Sequence, residues 1–164
     1  EVAISEYAND FNSAWISGMR AKLGLLNEEE GDYELAQNLF SWMENVKADF
    51  TGTFRDLSYE NLSDKDMYNS PDFKKWYDLW QARLSRNSKP IKSSLSMMRK
   101  YNPVIVPYNH LVEEALSAAE EGDMQSFYKL FSALEKPFEF SSSSEVFLNS
   151  SVDPNPHYQT FCGT

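Results

Sequence analysis

The sequence predicts an all-α fold, an orthogonal bundle of about six helices followed by an extended, largely irregular C-terminal tail. Three observations carry this expectation. Apolar residues recur at steps of three and four along most of the chain before Pro137. No stretch sustains the period-two alternation of a half-buried strand. Capping and helix-breaking residues fall between the periodic segments. The expected organisation is a helical domain over residues 1–137 and a tail over residues 138–164.

The first helix runs from Tyr7 to Leu23, with Tyr7, Ala8, Phe11, Trp15, Met19 and Leu23 on one face and Gly24 ending it. After Asn27-Glu-Glu-Glu-Gly31, Asp32 has the chemistry of an N-cap for a second helix whose face is Leu35, Ala36, Leu39, Phe40, Met43 and Val46. Thr51-Gly52-Thr53 reads as a short connection into Phe54–Leu57. Ser70-Pro71-Asp72 opens the next helix with proline at its first position, and Phe73, Trp76, Tyr77, Trp80 and Leu84 form its face.

The stretch Arg83–Lys92 carries Arg83, Arg86, Lys89 and Lys92 with little apolar content and reads as a connection. Ile91–Tyr101 is a weaker helix with Leu95, Met98 and Tyr101 in phase, broken by Asn102-Pro103, and Pro107 prevents a helix through Val104–Val106. Two helices follow, near Asn109–Glu120 and Asp123–Glu135. The Glu-Gly-Asp between them is too short for anything but an antiparallel hairpin. After Pro137 the periodicity stops, and Ser141–Ser144 and Asp153-Pro-Asn-Pro156 have loop composition. The run Glu29-Glu30-Gly31-Asp32…Leu39-Phe40-Ser41…Glu44 recurs at a constant offset as Glu120-Glu121-Gly122-Asp123…Leu130-Phe131-Ser132…Glu135. Two copies make no solenoid, which needs three or more. Similar demands on two helix junctions explain the match.

Composition narrows the function. With 164 residues, 41% of them hydrophobic, the chain is long enough for a core of its own. Fifteen Lys and Arg against 25 Asp and Glu give a net charge of −10, which repels a phosphate backbone unless the cations gather on one face, so nucleic acid is not an expected partner. Apolar runs are far shorter than the roughly 18–20 residues that span a bilayer. No membrane partner and a cytoplasmic location are expected. One cysteine and two histidines leave no disulfide within the chain and no Cys- or His-rich metal site. The chain begins at Glu1, without an initiator Met or a signal segment, which suggests a processed chain or part of something longer.

The search for a self-contained active site finds little. The six glycines are scattered, so no phosphate-cradling loop forms. A Cys/His pair can be drawn only from Cys162 with His157 or His110, and the first two lie in the expected tail, a poor place to hold catalytic geometry. Glu28–Glu30, Asp64/Asp66 and Glu113/Glu114 fall where solvated turns or helix faces place carboxylates, and Asp64-Lys-Asp66 lacks the Gly and closing Glu of a calcium loop. Asp49-Phe50-Thr51-Gly52 mimics a kinase Asp-Phe-Gly only at a glance: a Thr is inserted and no His-Arg-Asp lies upstream. Of 24 aromatic residues, Trp15, Trp42 and Trp76 are expected in the core, and others suit a face that another part of the protein covers. Cys162 is an exposed thiol on a reach of chain that suits a resolving or regulatory cysteine equally well.

One resemblance spans nearly the whole chain. Met19-Arg20-Ala-Lys-Leu-Gly24-Leu, Ala48-Asp49-Phe-Thr-Gly-Thr53-Phe-Arg55-Asp-Leu-Ser58, Asn102-Pro103 through Asn109-His110-Leu-Val-Glu113-Glu114, and the terminal Tyr158-Gln-Thr-Phe-Cys-Gly-Thr164 resemble the C-terminal region of the selenoprotein O (SelO/YdiU) family. Where that family's pattern has Pro-Arg-Asn-His, this chain has Pro107-Tyr108-Asn109-His110. The resemblance implies a pseudokinase-type protein adenylyltransferase that moves AMP from ATP to Ser, Thr or Tyr hydroxyls of protein substrates, with Mg²⁺ or Mn²⁺. It places the nucleotide, metal and catalytic residues in a preceding kinase-like domain, which becomes the expected partner of this segment. No catalytic, cofactor-binding or metal-binding residue carries over. What carries over are the motif residues Arg20, Arg55, Asn102, Asn109 and His110, and Cys162 at the place where eukaryotic members carry selenocysteine. The resemblance further implies a disulfide from Cys162 to a cysteine of the kinase-like domain that restrains activity until reduced. The alternative is a free-standing helical interaction module, separated from the first reading by whether the reading frame continues upstream into a kinase-like lobe.

Overall fold

The computed structural model describes residues 2–62 and 65–148, with side chains from Tyr7 onward. The described residues form helices and turns and no strands. They fall into two compact units, one ending at Asn102 and the other starting at Pro103.

The first unit contains α1 (Val2–Leu23), α2 (Asp32–Val46), α3 (Phe50–Ser58), a 3₁₀ turn (Asp66–Asn69), α4 (Pro71–Leu84) and α5 (Ile91–Tyr101). Helix α2 packs on α4 and α1, and α1 packs on α5 and α3. Leu23, Leu39, Phe54, Leu57, Trp80 and Met98 are sealed in the core. The ends of these helices follow local chemistry. The amides of Gly24 and Leu25 fold back onto the carbonyls of Ala21 and Arg20 at 3.3 and 2.8 Å, a doubly bonded C-terminal turn that Gly24 closes at φ +72°. Ser70 caps α4 by accepting from the Phe73 amide, with Pro71 in the first turn as expected.

Three tryptophans are core residues with their indole N–H groups paired. Trp42 donates to Ser70 Oγ at 3.2 Å, Trp76 to the Leu35 carbonyl and Trp80 to the Leu23 carbonyl, both at 2.9 Å. Trp76 and Trp80 also stack, with ring centroids 5.8 Å apart and planes 9° apart. Trp15 is partly buried against the same core. The expected apolar face of α1 does not stay buried along its length, since Tyr7 and Phe11 are exposed and stack on each other.

The second unit contains α6 (Asn109–Glu120), α7 (Gln125–Leu134) and a short α8 (Ser142–Glu145). Helices α6 and α7 form the expected hairpin, turning at Gly122 with φ +90°. Leu111, Ala115 and Leu130 are its buried seam, with Tyr108, Val112, Leu134 and Phe147 packed around it. The amides of Val104 and Ile105 both donate to the Pro137 carbonyl, tying the segment before α6 to the one after α7.

Four local expectations are corrected. Thr51-Gly52-Thr53 lies inside α3, because Asp49 caps that helix from outside by accepting from the Gly52 amide. A Cβ at position 52 would meet the Asp49 carboxylate at 2.6 Å, so the glycine belongs to the cap and not to a loop. Asp32 is the first residue of α2 and Gly31 is its cap position, without a side-chain capping bond. Arg83, expected in a connection, is a buried residue of α4. Finally, Ser141 and Ser144 cap each other's backbone and start α8 within a segment expected to be irregular.

No helix among the described residues is long and apolar enough to cross a membrane.

Candidate functional site

Helical phase explains why charged groups enter the core of the first unit. Asp32 precedes Leu35, Ala36 and Leu39 by three, four and seven positions, and Arg83 follows Trp76 and Trp80 by seven and three. Each charged residue therefore shares the inward face of its helix with apolar neighbours, and each needs a partner there.

The two meet. Arg83 Nε donates to Asp32 Oδ1 at 2.7 Å, and its remaining donors reach the Asn27 carbonyl at 2.6 Å and Asn87 Oδ1 at 3.2 Å. Arg20 donates to the other carboxylate oxygen of Asp32 at 2.8 Å, as does the Glu29 amide at 3.0 Å. Burial pushes the Asp32 carboxyl up, but the hydrogen bonds from Arg83, the Glu29 amide and Arg20 outweigh it and hold it below the usual carboxylate value. Arg20 also pairs with Glu28 at 3.0 Å. Glu29 pairs with Arg86 at 2.7 Å and Arg83 at 3.2 Å, and chiefly the Arg86 hydrogen bond holds its carboxyl low. Asn87 extends the network by donating to the Gly24 carbonyl and Ser94 Oγ, both at 2.8 Å, while accepting from the Leu26 amide. The cluster fastens the α1–α2 loop to the end of α4.

A second cluster centres on Asp56, also buried. It accepts from Lys65 Nζ at 2.7 Å, Tyr68 Oη at 2.8 Å and Arg55 Nε at 3.3 Å. Burial, then the Asp56 charge and hydrogen bond, pushes the Tyr68 phenol far above its ordinary value, so it remains a donor. A third cluster is built on Asn102, which is fully buried. Its Nδ2 donates to the Lys22 carbonyl at 2.8 Å and Ser58 Oγ at 2.9 Å, and its Oδ1 accepts from Lys22 Nζ at 3.3 Å. Lys22 Nζ also donates to the Tyr101 carbonyl at 2.9 Å and lies 5.4 Å from the ring centres of Phe50 and Phe54; burial lowers its pKa.

The sequence-selected residues thus separate. Arg20, Arg55 and Asn102 belong to three different structural clusters. Asn109 is exposed at the start of α6, and His110 is half-buried and stacked on Tyr108 with centroids 5.9 Å apart. Tyr108, the departure from the expected Pro-Arg-Asn-His pattern, packs against the Leu111 seam. Cys162 and His157 lie outside the described residues. Sequence reasoning missed Asp32, Asp56, Arg83 and Asn87 as network residues. Phase offered a signal for two of them, since an aspartate or arginine in register with Leu and Trp on one helix face is a buried ion pair in waiting.

Among the described residues no three His, Cys, Asp or Glu side chains converge to hold a metal. Asp32 and Asp56 accept from arginine, lysine, phenol and amide donors. These two buried carboxylates are therefore taken up by protein donors and do not fit a metal-holding role.

Fold and clusters together define an all-helical chain whose buried charges are spent on joining helices. Comparison with known proteins then places it. The family model described as "Protein adenylyltransferase SelO" matches residues 1–135, and the chain belongs to the SelO family. Proteins named "Protein nucleotidyltransferase YdiU" are similar along almost its entire length. The one from Clostridium botulinum (strain Eklund 17B / Type B) is 42% identical over 163 residues, 99% of this chain and 33% of the relative. That from Bacillus thuringiensis (strain Al Hakam) is 42% identical over 162 residues, and that from Bacillus mycoides (strain KBAB4) is 42% identical over the same length, each covering 98% of this chain and 33% of the relative. The chain spans about a third of the length of these curated relatives.

Proposed function

We propose that this chain is the C-terminal helical segment of a protein adenylyltransferase, an enzyme that transfers AMP from ATP, with Mg²⁺ or Mn²⁺, to Ser, Thr or Tyr hydroxyls of cytoplasmic proteins. In this reading the nucleotide and metal are held by a preceding kinase-like domain, and the segment's own contribution is structural and regulatory. The observation that carries it is the use of the buried charges: among the described residues, Asp32 and Asp56 are taken up by Arg20, Arg83 and Lys65 in fastening the fold, where an ATP–metal site needs carboxylates open to the metal. The match to about a third of each relative supports the same division of labour. Cys162 is assigned the regulatory part, as the partner in a disulfide to the kinase-like domain that restrains activity until reduced.

The test uses labelled ATP, Mg²⁺ or Mn²⁺, and a generic protein acceptor. The 164-residue chain alone gives no label, and the same chain joined to the preceding kinase-like domain does. Metal-dependent labelling by the chain alone, lost on a point substitution within it, overturns the reading. For Cys162, a Cys162→Ser full-length enzyme keeps its activity under oxidation if the assignment holds, and unchanged inhibition by oxidant overturns it.

A further inference from the structure

The charge of this chain is unevenly distributed. From Leu79 to Val112 there is no Asp or Glu, and six of the fifteen cationic residues fall there; the other nine share the rest of the chain with all 25 acids. Three of the six are committed. Arg83 is buried on Asp32, Arg86 pairs with Glu29, and Arg99 lies over the Tyr59 ring at 4.6 Å while donating to the Ser58 carbonyl. The other three, Lys89, Lys92 and Lys100, are exposed, and none has an ion-pair partner among the described residues.

Those three lysines line one groove of about 550 Å³ along the outward face of α5. Helical spacing arranges its wall in two rows. Lys92, Ser96 and Lys100 follow one another at four-residue steps, and Ser93, Met97 and Tyr101 form the adjacent row. Leu26, from the loop after α1, adds apolar surface on the other side. Ser94, Leu95 and Met98 point into the core and hold the helix in this orientation. The groove therefore offers a line of cations and hydroxyls beside an apolar strip.

We propose that this groove docks an acidic polypeptide segment in which carboxylates flank an apolar anchor. Lys92 and Lys100 are separated by about 12 Å along the helix axis, at 1.5 Å per residue. An extended peptide covers that length in about four residues, so carboxylates four positions apart meet both lysines while a residue between them rests on Met97, Tyr101 or Leu26. The apolar strip has no use for a bare phosphate backbone. A long polyanion or an anionic bilayer would also meet the field of the acidic remainder of the chain, whereas a short segment stays within a screening length of the patch, about 8–10 Å in ordinary salt. The inference concerns binding by this chain alone and stands whether or not the catalytic reading does.

The test is fluorescence anisotropy on the full 164-residue chain with a short fluorescein-labelled peptide carrying Glu on both sides of a central Phe. The same peptide with Gln in place of Glu, a single-stranded oligonucleotide and anionic lipid vesicles serve as comparisons. The Glu peptide binds at least tenfold more tightly than the Gln peptide, and its binding weakens at least tenfold on the Lys92→Glu/Lys100→Glu chain and in molar salt, where the screening length falls to about 3 Å. Lys92→Gln/Lys100→Gln weakens it by a smaller factor, and matching circular dichroism shows that both variants keep the fold. Absence of binding, equal binding of the Glu and Gln peptides, or binding unaffected by the lysine changes overturns the proposal. Tighter, lysine-dependent binding of the oligonucleotide or the vesicles overturns it in favour of a phosphate-bearing partner.

Discussion

Arg83 and Asp32, 51 positions apart in the chain, form a buried ion pair with Nε 2.7 Å from Oδ1. The pair fixes the loop between α1 and α2 against the last turn of α4, and Arg20 and the Glu29 amide complete the coordination of the carboxylate. Removing one partner leaves the other as an unpaired charge in low dielectric, where the cost of breaking a buried pair is about 3–5 kcal/mol. Asp32→Asn is therefore expected to lower stability by that order in chemical denaturation. Replacing the charge centre as a unit, by Asp32→Leu with Arg83→Met, is expected to cost less than the two single changes added together. Additive losses would mean that the two side chains do not act as a pair.

The same cluster sets the acid limit of the fold. The Asp32 carboxyl titrates below its ordinary value in the folded state, so its contribution is complete above the unfolded-state value of about 4 and disappears as pH falls through the folded one. The stability gap between the natural chain and Asp32→Asn is expected to be constant near neutrality and to close below about pH 4. Thermal melts of both proteins across that range measure it. A gap that persists unchanged into acid would assign the loss to packing rather than charge.

Tyr68 sets a corresponding alkaline limit. Its phenol is raised far above the ordinary value by burial and by Asp56, so the unfolded chain releases that proton first, and stability is lost as pH rises past the unfolded value of about 10. Tyr68→Phe removes this dependence and costs about 1 kcal/mol at neutral pH through the lost bond to Asp56. Alkaline unfolding that is identical with and without the Tyr68 hydroxyl would sink the argument.

How far the sequence revealed this molecule depended on which residues did the work. Periodicity and end signals suffice for α1, α2, α4, α5, α6 and α7, because apolar faces and residues such as Gly24, Ser70 and Pro71 act locally. The start of α3 escaped them, since Asp49 reaches past the Thr51-Gly52-Thr53 that looks like a turn. The clusters were the least legible part. Asp32 and Asp123 occupy equivalent places in the internal match, yet Asp32 is buried between two arginines, whereas Asp123 is exposed and accepts from the Gln125 amide. Only the register of Arg83 with Trp76 and Trp80 separates those fates, and a single sequence does not announce which aspartate an inward-facing arginine will meet. Resemblance selected Arg20, Arg55 and Asn102 without saying what they do; Arg20 and Asn102 tie helices together, and Arg55 pairs with its neighbour Asp56 within α3.

Gly24 tests the α1 terminus. Its φ of +72° is costly for any residue with a side chain, and a Cβ there would lie 3.0 Å from both Met98 Sδ and Ser94 Cβ. Both effects act in the same direction, so Gly24→Ala is expected to destabilise by more than the roughly 1 kcal/mol of the backbone penalty alone. Gly31, also at positive φ but facing open space, provides the comparison: Gly31→Ala should lose only the backbone component. Equal losses at the two positions in denaturant titrations would show that the α1–α5 contact is loose enough to absorb a methyl group.

Asn102 has the most demanding position among the motif residues. Its amide donates to the Lys22 carbonyl near the end of α1 and to Ser58 Oγ at the end of α3, while its oxygen accepts from the Lys22 ammonium. One side chain following α5 therefore satisfies polar groups at two other helix ends. Asn102→Ala leaves these groups without that partner, at about 1–3 kcal/mol for each buried group that stays unsatisfied. Asn102→Asp separates shape from hydrogen bonding. It keeps the volume and strengthens the contact to the Lys22 ammonium, but a carboxylate cannot donate to the Lys22 carbonyl, and that oxygen then faces a negative charge. Both variants are expected to be destabilised at neutral pH. Lowering the pH to protonate the new carboxyl restores a donor, so Asn102→Asp should recover relative to Asn102→Ala in acid. Thermal melts of the two variants side by side decide the matter. If Asn102→Asp shows no recovery in acid, the donated hydrogen bond is not what makes this asparagine necessary.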